Sequence, residues 1–252
     1  MHEAVISGVS PSAAAAAVLS RPLARVPPSR PGGPGGAVLA VPGAGREARG
    51  MARAAARLDE MAVEDSVLDA LRERGTLVAW EEILRPVLIS AGEHWQRSGA
   101  GIEIEHLLTQ AVTTAFVRHI AELPKEPIQD NPVLMAGGPQ EEHVIALHAA
   151  KAALAERAVP ARLLGPRTPM AALATAARRT RAAGVLVWLS IPDPEAAQGL
   201  ATVRSAHRRL VVLIGGPGWD GLSTEPATRC QSLVDSVDLL ERAWTDRHGE
   251  SR

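Results

Sequence analysis

The sequence predicts a helical bundle followed by an open α/β domain. Between about residue 47 and residue 122, apolar side chains recur at helical spacing in several successive stretches. Beyond residue 131, short and continuously apolar runs alternate with helical stretches. Such runs are typical of parallel strands that are buried on both faces of a sheet, so the second half predicts a doubly wound parallel sheet.

Composition excludes several classes of protein. The chain has 252 residues, of which 46% are hydrophobic and 22% charged, so a core is available and wholesale disorder is excluded. A net charge of −1 gives no overall field that attracts nucleic acid or an anionic membrane. The sequence contains no run of about 18 apolar residues, which is the length that would predict a membrane span. The single cysteine, Cys230, excludes an intrachain disulfide and fits a reducing cytoplasm.

The first 50 residues predict one helix and a linker. Ser10 and Pro11 have the pattern of an N-cap followed by proline at the first helical position, and an alanine-rich helix should continue to about Leu19. Residues 21–50 are dominated by proline and glycine, which predicts a flexible linker.

Four helices with short connections predict a small bundle over residues 51–124. They are expected at about 54–65, 67–74, 80–95 and 104–123. Pro86 lies inside the third helix, where it should bend the helix or mark its first turns.

Residues 131–246 predict a doubly wound sheet of the Rossmann-like or flavodoxin-like kind. Strands are expected at 132–138, 161–165, 185–190 and 210–216, with a short fifth strand at 226–230. The intervening and final helices are expected at 142–157, 170–182, 194–207 and 231–242.

The carboxyl ends of these strands predict the place of a ligand crevice. The residues expected there include Gly165, Ser190, Gly215 and Gly216. Glycine lets a bulky ligand approach the backbone closely. Glycine is equally common in ordinary strand-to-helix turns, so these positions alone do not distinguish a ligand site from a turn.

The loop after the first strand is more specific. His143 follows Glu141 by two residues, and a carboxylate can fix one imidazole nitrogen while the other stays free to bind a metal. The alternative is that Glu141 and Glu142 only supply favourable negative charge at a helix N-terminus. The loop lacks the third glycine of a dinucleotide fingerprint and the Gly-Lys-Ser/Thr of a P-loop.

A second motif lies in the bundle. Trp95 ends one helix, and Glu105 and His106 begin the next after nine intervening residues. An indole beside this polar pair could cover a flat ligand. The alternative is that Trp95 caps the bundle and Glu105 caps the helix start.

These two motifs, in this order, resemble the cobalamin-binding sensory regions of MerR-family transcription regulators, in the CarH and LitR branch. Related modules occur in methionine synthase and in corrinoid methyl carriers, whose usual motif is Asp-x-His-x-x-Gly. The resemblance covers about residues 51–245. It implies that His143 is the lower cobalt ligand of a bound cobalamin and that Glu141 orients the imidazole.

The resemblance also assigns the remaining residues. Four of them would line the slot for the nucleotide tail, namely Gly165, Ser190, Gly215 and Gly216. Trp95 would lie against the upper face of the corrin ring, and Glu105 and His106 would lie close to an adenosyl group. The bundle would then act as a cap over the cofactor.

Two residues depart from the family pattern. Ala146 stands where the motif usually has glycine, which would crowd the tail by one methyl group. Gln96 follows Trp95, where the light sensors carry a histidine that captures cobalt after photolysis. Cobalamin binding is therefore better supported than a light-driven cycle.

The first 20 residues resemble the last helix of a MerR-type DNA-binding domain, while the winged helix-turn-helix itself is missing from this sequence. The sequence is expected to be an N-terminally truncated regulator or a relative that acts through a protein partner. The sequence shows no arginine-rich recognition helix, so direct reading of DNA by these residues is not expected.

The resemblance thus implies a cytoplasmic, non-enzymatic cobalamin sensor that controls transcription through a change in self-association or in partner binding. A homo-oligomer is expected. Two alternatives remain: a corrinoid methyl-carrier subunit of a methyltransferase system, and a cofactor-free α/β interaction module.

Overall fold

The computed structural model describes residues 39, 41, 43–98, 100–124 and 131–249, with the side chains of 96–98 and 248–249 left out. The helix predicted in residues 1–20 and nearly all of the predicted linker before residue 43 lie outside the described residues, as does the side chain of Gln96. Within the described ranges, no helix is both long enough and apolar enough to cross a membrane.

The described part of the first half forms four helices, as predicted. Their segments are α1 (Arg46–Ala56), α2 (Glu60–Arg74), α3 (Thr76–Ala79), a π-helical turn (Trp80–Leu84), α4 (Arg85–Ser98) and α5 (Ile102–Glu122). The segments from Thr76 to Ser98 follow one another without a break and make the third helix of the bundle.

The break between the first two helices lies earlier than the sequence pattern indicated. Leu58 adopts a left-handed conformation with φ 55°, and the Asp59 carboxylate accepts a hydrogen bond from the Ala62 N–H at 3.2 Å as the N-cap of α2. The predicted continuation of the first helix to Asp65 is therefore wrong, because apolar spacing alone did not register this cap. Helix α1 also begins at Arg46, inside the stretch predicted as linker.

Pro86 acts through the π-helical turn that precedes it. The Arg85 N–H donates to the Trp80 carbonyl five residues earlier, which is the wider spacing of a π-helix. Pro86 has no N–H to donate, and its ring would crowd the carbonyl four residues earlier in a regular helix. The widened turn gives the predicted irregularity its physical form.

The second half has the predicted alternation of strands and helices. Its elements are β1 (Val133–Gly137), α6 (Ile145–Glu156), β2 (Ala161–Gly165), α7 (Met170–Thr180), β3 (Gly184–Trp188), α8 (Pro194–Arg204), β4 (Val211–Gly215), a 3₁₀ turn (Pro217–Trp219), β5 (Thr228–Arg229) and α9 (Leu233–Gly249). Among the described residues the sheet has the order β2-β1-β3-β4-β5, and every strand pair is parallel. This is the flavodoxin-like order, so the predicted fold class is confirmed.

One boundary in this half bears on the site. The helix predicted to begin at Glu142 begins at Ile145, so Glu141 and His143 both lie in the loop between β1 and α6. The chain passes from β1 to β2 on one side and to β3 on the other, so the strand order reverses beside β1. The β1–α6 loop therefore opens at the switch point of the sheet, where ligands of such folds bind.

The bundle and the sheet share a hydrophobic core. One face of α6 contributes Ala146, Ala149 and Ala152 to the same buried cluster as the bundle residues Leu108 and Phe116. Two other clusters fill the two faces of the sheet. Ala146 therefore packs toward the bundle, where its methyl group adds to the contact between the two halves.

Polar contacts also join the halves. The Glu156 carboxylate at the end of α6 accepts hydrogen bonds from the Thr76 N–H at 2.9 Å and the Thr76 hydroxyl at 2.7 Å, and it pairs with His119 Nε2 at 2.8 Å. His119 is buried, and its Nδ1 has no partner among the described atoms. These contacts fix α5 against α6 and so fix the bundle over the sheet.

Candidate functional site

The centre of the site is the pair Glu141 and His143 in the β1–α6 loop. Glu141 is fully buried, while the His143 side chain is 65% exposed. The Glu141 carboxylate accepts hydrogen bonds from the His143 N–H at 2.5 Å and lies 3.1 Å from His143 Nδ1. A buried carboxylate thus holds an exposed imidazole by both its backbone and its ring.

The charge state of Glu141 decides the tautomer of His143. Burial of the Glu141 carboxyl raises its pKa, but hydrogen bonds from His143 and Ser190 outweigh burial and leave the pKa below its ordinary value. An ionised carboxylate only accepts hydrogen bonds, so His143 Nδ1 must carry the proton that it donates. The neutral imidazole then presents an unprotonated Nε2 away from Glu141, which is the form that binds a metal.

The surroundings of His143 are negatively charged. The hydrogen bond with Glu141 raises the His143 pKa above its ordinary value, burial opposes this rise, and the charges of Glu141, Glu105 and Glu142 add to it. Glu105 comes from α5 of the bundle. The charge of Glu105 therefore reaches His143 from the bundle.

Ser190 completes the support of Glu141. The Ser190 hydroxyl lies 2.7 Å from Glu141 Oε2 and 3.3 Å from His143 Nδ1, and the Ser190 N–H also donates to Glu141. Ser190 follows β3, which pairs with β1, so the sheet brings the two loops together. The sequence placed Ser190 at this edge but did not predict that it holds the buried carboxylate.

Asp193 is a positioning residue that sequence reasoning missed. This buried carboxylate caps α8 by accepting from the Glu195 N–H at 3.0 Å, and it also accepts from the Gln140 N–H at 3.0 Å. It therefore ties the β1–α6 loop to the start of α8. Asp followed by Pro194 at the first helical position is an N-cap signal that could have identified it.

The predicted glycines lie at the carboxyl edge of the sheet but differ in their surroundings. Gly165 has φ 97°, and a Cβ built there would meet nothing within 4 Å. Gly215 is buried beside Trp188, and a Cβ on Gly216 would lie 2.1 Å from the Leu189 carbonyl oxygen. Gly165 thus borders open space, whereas Gly216 is required by the close approach of two backbone segments.

The bundle residues of the predicted site lie at the adjoining ends of α4 and α5. Trp95 is 40% exposed, His106 is exposed and Glu105 is half-buried. Within the described part of the chain, no hydrogen bond joins Trp95 or His106 to His143. Glu105 therefore acts on His143 through its charge, and the roles of Trp95 and His106 stay predictions.

Comparison with known proteins finds a similarity in the bundle. Residues 47–118 match the model of a family described as the B12 binding domain. The matched residues run from α1 into α5, so the similarity lies in the helical bundle, and the resemblance predicted from the sequence is confirmed.

The chain is also similar to one characterised regulator. It is 30% identical over 189 residues to the HTH-type transcriptional repressor CarH of Myxococcus xanthus. The similarity covers 74% of this chain and 61% of the repressor, so the chain spans less than two thirds of the length of that protein. Because the similarity takes so large a share of this chain, it must include central residues such as Glu141 and His143.

A solved structure supports the fold as a whole. The monomethylamine corrinoid protein of Methanosarcina barkeri superposes with a TM-score of 0.57 at 13% identity, over 76% of this chain and 96% of that chain. At this identity the likeness concerns the fold alone.

The residues of the site fit a cobalamin. A lower cobalt ligand requires an imidazole with one nitrogen fixed and the other accessible, and His143 has its Nδ1 fixed by Glu141 on an exposed ring. Open space beside Gly165 lies at the same edge of the sheet. Among the described residues, no group of three or more His, Cys, Asp or Glu side chains could hold a metal ion.

Proposed function

We propose that this chain is the cobalamin-binding sensory region of a transcription regulator. The observation that carries the proposal is the exposed His143 imidazole, whose Nδ1 is held by the buried and ionised Glu141. His143 would bind cobalt from below through Nε2. The B12 binding domain match and the similarity to a repressor named CarH support the ligand and the regulatory role.

The two halves of the chain would enclose the cofactor together. Gly165, Ser190, Gly215 and Gly216 would line the slot for the nucleotide tail. Trp95 would cover the upper face from the bundle, with Glu105 and His106 beside the upper ligand. When bound, cobalamin supplies a cobalt centre whose upper ligand changes with its chemical form or with light.

The signal would pass through the contact between the halves. The shared core at Ala146 and the network around Glu156 fix α5 against α6, and the two polar sites Glu105 and His119 lie near opposite ends of α5. A cofactor between Trp95 and His143 would favour one placement of the bundle over another. We infer that this shift changes self-association, and that the chain has no enzymatic turnover of its own.

Contact with a promoter would come from a winged helix-turn-helix outside this sequence or from a protein partner. This assignment rests on the similarity to the repressor and on the likeness of residues 1–20 to the end of such a domain.

Absorption spectra of the purified chain test the proposal. Added hydroxocobalamin or adenosylcobalamin should bind at about one per chain in darkness, with a spectrum that reports the exchange of the nucleotide base for imidazole. Illumination of the adenosyl form, followed by size-exclusion chromatography, tests whether light or occupancy changes self-association. A chain that leaves both cobalamins unbound would remove the proposal and favour a cofactor-free interaction module.

The variant His143→Ala separates ligation from general binding. It should lose the imidazole-ligated spectrum, because no other ring in the loop has a fixed tautomer and an exposed nitrogen. His148→Gln is the matched control, since His148 lies in α6 just after the loop and is half-buried. Equal loss of the spectrum in both variants would contradict the role given to His143.

A further inference from the structure

A second site candidate lies at the opposite edge of the sheet from His143. The end of α7, the segment before β4 and the end of α9 surround a cavity of about 380 Å³. Its lining is Arg178, Arg181, Ala206, His207, Arg208, Arg209 and Arg247. The first two of these segments directly precede β3 and β4, so the cavity lies at the amino ends of the strands.

Five of the seven lining residues are arginines, in a chain whose net charge is −1. Guanidinium groups stay protonated at any physiological pH, so this charge is permanent. Among the residues that the structure describes, no carboxylate pairs with Arg178, Arg181 or Arg208, and all three are exposed. The positive charge is therefore concentrated and available to a ligand.

The cavity is built rather than formed by loose side chains. Arg247 donates to the Arg181 carbonyl at 3.0 Å, and His207 Nε2 lies 2.9 Å from the Ala182 carbonyl. Arg204, just outside the lining, donates to the carbonyls of His207 and Arg208. These bonds fix the segment before β4 against the ends of α7 and α9.

The cations lie close enough to act on one another. Burial lowers the pKa of His207, the hydrogen bond with Ala182 opposes this, and the charges of Arg247 and Arg204 lower the pKa further. The same positive charges that disfavour protonation of His207 favour an anion in the cavity.

The lining indicates which anion. It contains no phenylalanine, tyrosine or tryptophan and no asparagine or glutamine. Single-strand sites stack bases on aromatic side chains, and base reading uses side chains that pair with base edges. Arginines without these companions match the phosphates of a duplex backbone, which carry no sequence information.

We propose that this arginine cavity binds the phosphate backbone of duplex DNA without regard to sequence. The site goes beyond the proposed cobalamin function and shares no residue with it. It would hold the sensory region against DNA next to whatever segment reads the bases.

Fluorescence anisotropy of the full chain with two labelled duplexes of unrelated sequence tests the proposal. Both should bind with similar dissociation constants, between about 1 µM and about 100 µM at physiological salt. The double variant R178Q/R208Q should weaken binding to both duplexes equally, and the slope of log K against log salt should become shallower by about 2.

The control variant is R53Q/R162Q, which makes the same change in net charge at two exposed arginines outside the cavity. It should leave the slope nearly unchanged. R178K/R208K keeps the charge and should keep binding, which excludes misfolding as the cause of a loss. Residues 1–38 are present in every variant, so their contribution cancels in the comparison.

Three results would overturn the proposal. One is a wild-type chain that binds neither duplex, and another is an equal loss in R178Q/R208Q and R53Q/R162Q. The third is saturable binding of inorganic triphosphate that R178Q/R208Q abolishes, with no duplex binding, which would assign the cavity to a small phosphate ligand.

Discussion

Replacement of Glu141 by glutamine should disrupt the site although the side chain keeps its shape. One carboxylate oxygen accepts from the His143 N–H and faces Nδ1, and the other accepts from the Ser190 N–H. The Ser190 hydroxyl contacts both oxygens. In Glu141→Gln, either orientation of the amide sets its NH₂ against a backbone N–H that cannot accept a hydrogen bond.

The cost follows from these contacts. Leaving one buried donor unsatisfied costs about 1–3 kcal/mol. The imidazole also loses the charged partner that fixes its tautomer, and loss of such a partner weakens metal binding by about tenfold to a hundredfold. We therefore expect the dissociation constant for cobalamin to rise by about that factor, together with a loss of about 1–3 kcal/mol in the free energy of unfolding.

Equilibrium titration with hydroxocobalamin, followed by absorption, measures the first quantity, and urea unfolding measures the second. Glu142→Gln is the matched control, because Glu142 is 65% exposed and pairs with Arg167 at the surface. Exposed pairs contribute about 0–1 kcal/mol, so this variant should bind nearly as the wild type does. Unchanged binding in Glu141→Gln, or the same loss in both variants, would refute the reasoning.

Two other substitutions test the supports of the site by urea unfolding. Gly216→Ala should lower the free energy of unfolding far more than Gly165→Ala, because both have positive φ but only Gly216 places a Cβ against the Leu189 carbonyl; equal losses would contradict this. Glu156→Gln should lower the free energy of unfolding by about 2 kcal/mol at neutral pH, because the hydrogen bonds with Thr76 lose their charged acceptor. Burial raises the Glu156 pKa, but its hydrogen bonds with His119 and Thr76 prevail and hold it below its ordinary value. This stability is therefore present above the ordinary pKa of a glutamate and disappears as pH falls through the lower folded pKa, so variant and wild type should converge in acid and a constant difference would contradict the assignment.

Most of the fold could be predicted because each half has its own hydrophobic period. The strands at Val133–Gly137 and Val211–Gly215 lie where continuous apolar runs end in glycine. The break at Leu58 could not be predicted in this way, since it depends on a left-handed residue and on the Asp59 cap rather than on apolar spacing.

The centre of the site was predictable and its support was not. Glu141 and His143 are two residues apart, so their contact is local and the sequence shows it. Ser190 lies 47 residues beyond His143, and only the pairing of β1 with β3 brings its hydroxyl to Glu141. Asp193 and its bond to Gln140 depend on the same folding of distant loops.

The sequence by itself determined the alternation of strands and helices and the local contact between Glu141 and His143, because periodicity and short spacings are properties of neighbouring residues. Only the tertiary structure decided that Ser190 holds the buried carboxylate, that Ala146 faces the bundle, and that arginines from three separate segments surround one cavity. Those results depend on which distant segments become neighbours when the core is buried, and local sequence patterns do not carry that information.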